Sequence, residues 1–102
     1  MNTSTTPWRD IEARALAGMN EAERAEFDAA EAEEEMRLQL AELVYQARTS
    51  AGLSQTELAR RAGTRQSVIS SIENGGQVPT VPMLWRVARA LGRELRIEID
   101  AA

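Results

Sequence analysis

Residues 53–75 read Leu53-Ser54-Gln55-Thr56-Glu57-Leu58-Ala59-Arg60-Arg61-Ala62-Gly63-Thr64-Arg65-Gln66-Ser67-Val68-Ile69-Ser70-Ser71-Ile72-Glu73-Asn74-Gly75. Ser54 followed three residues later by Glu57 is a capping box, which starts a helix by giving partners to backbone N–H groups that the first turn leaves open. Leu58, Ala59 and Ala62 then bury one side of that helix. Gly63 supplies a tight turn. A second helix is expected from about Arg65 to Asn74, with Ile69 and Ile72 inward and Gly75-Gly76 ending it. Two short helices about a glycine turn, the second with a polar and uncharged outer face, have the layout of a helix-turn-helix.

The outer face of the second helix carries the chemistry. With Ile69 and Ile72 inward, Gln66, Ser67, Val68, Ser70 and Ser71 lie largely outward. A Gln at the start of such a helix can bond adenine through N6 and N7, Val68 suits a thymine methyl, and small serines let the helix sit deep in a major groove. Gln55 and Asn74 are placed to bond backbone phosphates, with helix N-terminal amides assisting. Arg65, beside Thr64 at the entry to the helix, adds a phosphate contact. Taken singly, a surface Gln or Ser is an ordinary solvated residue and a Val is scattered apolarity. The joint pattern at fixed offsets makes Gln55, Thr64, Arg65, Gln66, Ser67, Val68, Ser70, Ser71 and Asn74 the candidate DNA-binding set.

Working outward, the N-terminal side is helical. Thr6 caps and Pro7 opens a short helix that Gly18 interrupts; Asn20 caps the next. Glu21 to Ala51 is rich in Ala, Glu, Leu and Arg without Gly or Pro. Within it Met36, Leu40, Val44 and Ala47 form a stripe that can face a core, whereas Glu31 to Glu35, with four Glu in five positions, has no apolar face. On the C-terminal side Thr80 caps a helix with Pro82 in its first turn, and Val81, Leu84, Val87, Ala88 and Leu91 form its inner face; Gly92 closes it. Residues 94–99 then change period: Leu95, Ile97 and Ile99 alternate with Glu94, Arg96 and Glu98, the pattern of a half-buried strand. With no second strand in the chain, its mate is expected in a second copy, giving a homodimer joined through Leu95, Ile97 and Ile99 in a two-stranded antiparallel sheet.

The expected fold is therefore all-α: a four-to-five-helix helix-turn-helix domain over 36–92, an acidic N-terminal helical arm over 1–35, and a dimerisation strand and tail over 93–102. The 102 residues include no Cys, no His and no Lys. Disulfides, thiol chemistry and the common zinc sites are excluded, and nothing supplies a nucleophile, a metal ligand set or a tuned base, so neither an enzyme nor a cofactor is expected. The longest apolar runs are a few residues, so membrane insertion and secretion are not expected and the chain reads as cytoplasmic and nucleoid-associated. The formal charge of −4 hides a split: residues 1–45 carry 4 Arg against 11 Asp or Glu, residues 46–102 carry 8 Arg against 5. An acidic front half and a mildly basic back half suggest two partners.

Residues 40–92 resemble, without a gap, the phage-repressor (Cro-type, or XRE) helix-turn-helix family, on the string Leu-Ser-Gln…Glu-Leu-Ala…Gly-Thr…Gln-Ser…Ile…Ile-Glu-Asn-Gly. The resemblance implies that Gln55 contacts phosphate and supports Gln66, which reads a base, and that Arg48 pairs with Glu73 as a structural ion pair. It implies double-stranded DNA with a palindromic operator as partner. The chain departs from that pattern at Arg65, where a small capping residue is common, at Gly76-Gln77, which replace often basic positions, and in its C-terminal strand. The strand, together with the arm beginning Pro7-Trp8-Arg9-Asp10-Ile11, resembles HigA-type antitoxins of type II toxin–antitoxin systems. That likeness implies neutralisation of a small basic endoribonuclease toxin of the RelE/HigB kind and repression of the shared operon. Trp8, Ile11, Leu16, Met19 and Phe27 on the acidic arm are the candidate toxin-binding residues, extended by Leu43 and Tyr45. The alternative is a stand-alone repressor of the same family with no toxin partner.

Overall fold

Side chains and glycines set the helix boundaries of this chain. The computed structural model describes residues 7–101, the side chains of residues 7–10 excepted, and holds five helices among them: α1 (Pro7–Ala17), α2 (Glu21–Ser50), α3 (Gln55–Ala62), α4 (Gln66–Glu73) and α5 (Val81–Ala90). Thr6, expected to cap α1, lies outside the described residues. The chain divides into two compact units with the boundary after Glu34. No helix of the described residues is long and apolar enough to cross a membrane.

In the first unit, Asn20 and Glu23 close a reciprocal capping box. The Asn20 Oδ1 accepts from the Glu23 N–H at 2.8 Å, and the Glu23 carboxylate accepts from the Asn20 N–H at 3.0 Å. Arg24 reaches back to the Leu16 carbonyl at 3.3 Å, tying the start of α2 to the end of α1. The box expected at Ser54 is half made. Ser54 accepts from the Glu57 N–H at 3.0 Å, but the Glu57 carboxylate is drawn instead to Arg60 and to Arg61, the latter at 2.9 Å. Two cations on the same turn outcompete one amide.

The second unit is organised around α3, which packs against both α4 and α5. Its core is Val44, Leu58, Ala59, Ala62, Ile69, Ile72 and Val87, with Val68, Met83, Leu84, Ala90 and Leu91 packed partly buried against it. α3 ends at Gly63, whose φ of 71° lies in the left-handed region. There the Thr64 N–H bonds the Ala59 carbonyl at 2.9 Å and the Gly63 N–H bonds that of Arg60 at 3.3 Å. This Schellman closure turns the chain sharply enough for α4 to lie across α3.

Three expectations about packing are corrected. Met36 is exposed, and the inward stripe of α2 is Leu40, Ala41, Val44 and Ala47. Met36 stands more than one turn ahead of Ala41, the first buried residue of α2. Val81 is also exposed; as the first residue of α5 it stands before the turn that begins the inner face. Val68, expected outward, is half-buried against the core. Finally, residues 94–99 form no strand, and the described residues contain none. A strand needs a ladder partner, and a single chain offers this segment none. Leu95 is half-buried, whereas Ile97 and Ile99 are exposed.

Ile69 is fully buried and makes the sharper test of this core. Ile69→Ala should cost about 2–5 kcal/mol, whereas Met36→Ala should change stability by less than about 0.5 kcal/mol. Urea unfolding of the full chain measures both.

Candidate nucleic-acid interface

α4 presents Ser67, Ser70, Ser71 and Asn74 at i, i+3, i+4 and i+7, a single polar stripe opposite Ile69 and Ile72. Ser67 and Asn74 are exposed, and Ser70 and Ser71 are half-buried. Arg65 is the exposed N-cap residue and makes no side-chain cap, which leaves its guanidinium at the positive end of the helix. Thr64 is half-buried in the turn. At the other end, the Asn74 Oδ1 accepts from the Gly76 N–H at 2.9 Å. A Cβ on Gly76 would stand 2.9 Å from that oxygen and 3.1 Å from the Ser71 hydroxyl. Gly76 therefore holds Asn74 in place by having no side chain. Its proximity to Ser71 and Asn74 follows from the turn geometry and has no signature in local sequence.

A line of hydrogen bonds runs from α2 to the first residue of α4. The Arg48 Nε donates to Glu73 at 2.7 Å and its Nη2 donates at 2.9 Å, a two-point pair between side chains that are 12% and 5% exposed. The Arg48 Nη1 donates to the Leu53 carbonyl at 2.7 Å, fixing the turn before α3. The Tyr45 ring lies 5.5 Å from the same guanidinium. Glu73 also accepts from the Gln55 Nε2 at 3.0 Å, and the Gln55 Oε1 accepts from the Gln66 Nε2 at 2.7 Å.

The polarity of this line is forced. An ionised carboxylate only accepts, so Gln55 must turn its amide nitrogen toward Glu73 and its oxygen toward Gln66. Gln66 then answers with its nitrogen. It keeps one N–H donor and its Oε1 acceptor for the exterior, the pair that complements N7 and N6 of adenine. Gln55, half-buried, has one N–H left over.

Burial pushes the Glu73 carboxyl up, but the hydrogen bonds from Arg48 and Gln55 outweigh it and hold its pKa below the usual carboxylate value. Arg48 is raised, chiefly by its bond to Glu73. On the surface, hydrogen bonds from Arg60 and then Arg61 lower Glu57 to about 2.

The toxin-binding candidates are placed less closely. Ile11 is exposed, and Leu16, Met19 and Phe27 are half-buried; Trp8 lies in α1 with its side chain outside the described residues. Leu43 and Tyr45 are exposed on α2. No group of acidic side chains among the described residues is arranged to hold a metal ion.

A family model described as Helix-turn-helix matches residues 44–97. An "Uncharacterized HTH-type transcriptional regulator" of Methanothermobacter thermautotrophicus is 42% identical over 52 residues, covering 51% of this chain and 75% of that protein. One of Sinorhizobium fredii with the same description is 44% identical over 45 residues, 44% of this chain and 58% of its own length. Endothelial differentiation-related factor 1 of Homo sapiens is 34% identical over 59 residues; the match takes in 58% of this chain and 40% of the human protein. Among solved structures, a chain of a toxin–antitoxin module from Streptococcus pneumoniae aligns with a TM-score of 0.50 at 26% identity, covering 92% of each chain.

The depressed Glu73 pKa fixes a direction. Its contribution to stability is complete above the unfolded glutamate pKa of about 4.3 and is lost as pH falls through the lower folded value. Urea midpoints should therefore decline on the acid side. Glu73→Gln should flatten that decline, and the flattening should survive high salt, because the exposed Glu57 contribution is the one that salt screens. Glu73→Ala, which strands the Arg48 guanidinium, should cost about 3 kcal/mol.

Proposed function

This chain belongs to the XRE-type helix-turn-helix family, and on that footing we propose that it is a sequence-specific transcriptional repressor acting as the antitoxin of a type II toxin–antitoxin pair. It binds a palindromic operator as a homodimer joined through its C-terminal segment, neutralises a small basic endoribonuclease toxin of the RelE/HigB kind, and represses the operon they share. The observation that carries DNA reading is the Arg48–Glu73–Gln55–Gln66 line, which orients one donor and one acceptor at the start of an exposed helix. Gln66 reads a base. Arg65, Gln55 and Asn74 face phosphate, with Thr64 beside them at the turn. Ser67, Ser70 and Ser71 keep the helix face low, and the edge of Val68 left open meets a thymine methyl.

The antitoxin role has separate support. The likeness to the pneumococcal toxin–antitoxin module extends over 92% of the chain, well beyond residues 44–97. The added portion includes the acidic arm, whose charge favours encounter with a basic protein; Trp8, Ile11, Leu16, Met19 and Phe27 are its anchors. The second reading, a stand-alone regulator, is supported by the archaeal and rhizobial relatives described as HTH-type transcriptional regulators, whose matches stay within about half of this chain.

Co-expression of the tagged chain with the small reading frames flanking its gene separates the two. A stoichiometric basic partner, toxic when expressed alone, supports the antitoxin; recovery of the homodimer alone supports the stand-alone repressor. Deleting residues 1–30 should spare operator binding and abolish toxin binding. Gln66→Ala should lose about 1–3 kcal/mol of discrimination at one base pair while dimerisation is unchanged; an unaltered sequence preference in a competition assay would remove Gln66 from its role.

A further inference from the structure

α5 turns one face to the core and leaves the other open. Val87 is buried and Leu84 packs against the same core, so Trp85, Arg86 and Arg89, at i, i+1 and i+4, stand on the outer side. There they line a hollow of about 370 Å³ together with Arg61 and Gly63 from the end of α3. The volume falls within the usual range of small-ligand sites. No described acidic side chain lines it. Arg86 has no ion pair or hydrogen bond among the described residues. Arg61 gives its Nε to Glu57 at 2.9 Å and keeps both Nη groups. The Arg89 guanidinium lies 4.9 Å from the centre of the Trp85 ring, and that indole is 51% exposed. Singly, a surface arginine is an ordinary solvated residue and an exposed indole is scattered apolarity. Three guanidinium groups around one hollow, however, repel one another with no carboxylate there to compensate.

We propose that this hollow binds a nucleoside polyphosphate, with the phosphates held by Arg61, Arg86 and Arg89 and the base stacked at Trp85. The site goes beyond DNA reading and does not depend on it, since none of these four residues belongs to the α4 set. Guanidinium meets phosphate oxygens at two points, and three such groups match a short chain of phosphates with several negative charges. Arg86 and Arg89, one turn apart, have their Cβ atoms about 5–6 Å from each other, and Arg61 adds the third cation from α3. An acidic peptide would account for the arginines but not for the indole. A base accounts for both, because every base has a π face to lay on an aromatic ring or a guanidinium plane. Arg89 covers part of the Trp85 ring, and the exposed remainder is what the base meets. Gly63 is two residues from Arg65, at most about 7 Å along the chain, so the occupant sits beside the turn that enters α4.

Trp8 and Trp85 are the two tryptophans of the chain, so Trp8→Phe leaves Trp85 as the only indole reporter in the full-length protein. At physiological salt, where diffuse attraction is screened beyond about 8 Å, ATP and GTP should each quench its emission saturably at millimolar concentration or below. Guanosine, which has no phosphate, should not. In calorimetry on the unsubstituted chain, inorganic triphosphate should bind at least about fivefold more weakly than ATP, and Trp85→Ala should weaken ATP by a similar factor. Arg86→Gln with Arg89→Gln should abolish ATP binding while the urea midpoint stays nearly unchanged, because both side chains are exposed. Absence of saturable quenching by either nucleotide overturns the site. Triphosphate binding as tightly as ATP removes the base from it, and ATP binding that survives the double substitution removes the arginines; either result overturns the proposal. So does a response to a single-stranded oligonucleotide with none to ATP or GTP, which assigns the hollow to a nucleic-acid strand. None of these outcomes bears on base discrimination by Gln66, which the competition assay reads separately.

Discussion

The Arg48–Glu73 pair is the constraint on which the second unit turns. It joins α2 to the last residue of α4, and the third Arg48 contact, to the Leu53 carbonyl, fixes the turn that enters α3. Removing two such groups from water is costly, and an ion pair at this depth adds little net stability over apolar residues of the same size. Its value here is directional. An acceptor-only carboxylate held by two guanidinium N–H groups leaves one way for Gln55 to face, and Gln55 then leaves one way for Gln66 to face. The cluster of Glu57 with Arg60 and Arg61 has more cations and holds its carboxyl down at about 2, yet it organises a single turn of α3.

Local chemistry was legible in the sequence, and distance was not. Gly63, Ile69 and Ile72 could be placed from residue type and spacing because a left-handed turn and a buried helix face each demand specific side chains. Helix faces with several apolar candidates were less determinate: Met36 fits the spacing of the α2 stripe yet is exposed, and Ala41 is buried, a difference that spacing does not encode. The capping boxes show the same limit. Ser54 and Glu57 have the right spacing, but two arginines further along the helix take the carboxylate, whereas Asn20 and Glu23 meet no such competitor and close the box.

The candidate site divides along the same line. The stripe of Ser67, Ser70, Ser71 and Asn74 is a helical period and could be read directly. Arg48 and Glu73 are 25 residues apart and were joined through a family likeness, since no periodicity connects them. The Gln55–Glu73 bond joins the start of α3 to the end of α4 across 18 residues, and the closeness of Gly76 to Asn74 is set by the turn that ends α4. The strand expected over residues 94–99 is an intermediate case: its alternation is plain, but a ladder is a property of two segments and one chain supplies one.

Charge links the reading helix to the tail. Of the 8 arginines in residues 46–102, Arg48 is taken up by Glu73, and Arg60 and Arg61 share Glu57. On the α4 face itself the cation is Arg65. On the proposed reading the α4 face therefore brings few charges to the phosphates, and the counterion release through that face is correspondingly small. Base contacts at one half-site, worth a few kcal/mol, do not compensate for that alone. Two half-sites held at fixed separation do, because the second binds at the effective concentration set by the first. On the proposed reading, a reading face with one cation gains from a rigid connection between two copies, and the tail, with Ile97 and Ile99 exposed, is the segment assigned to make it.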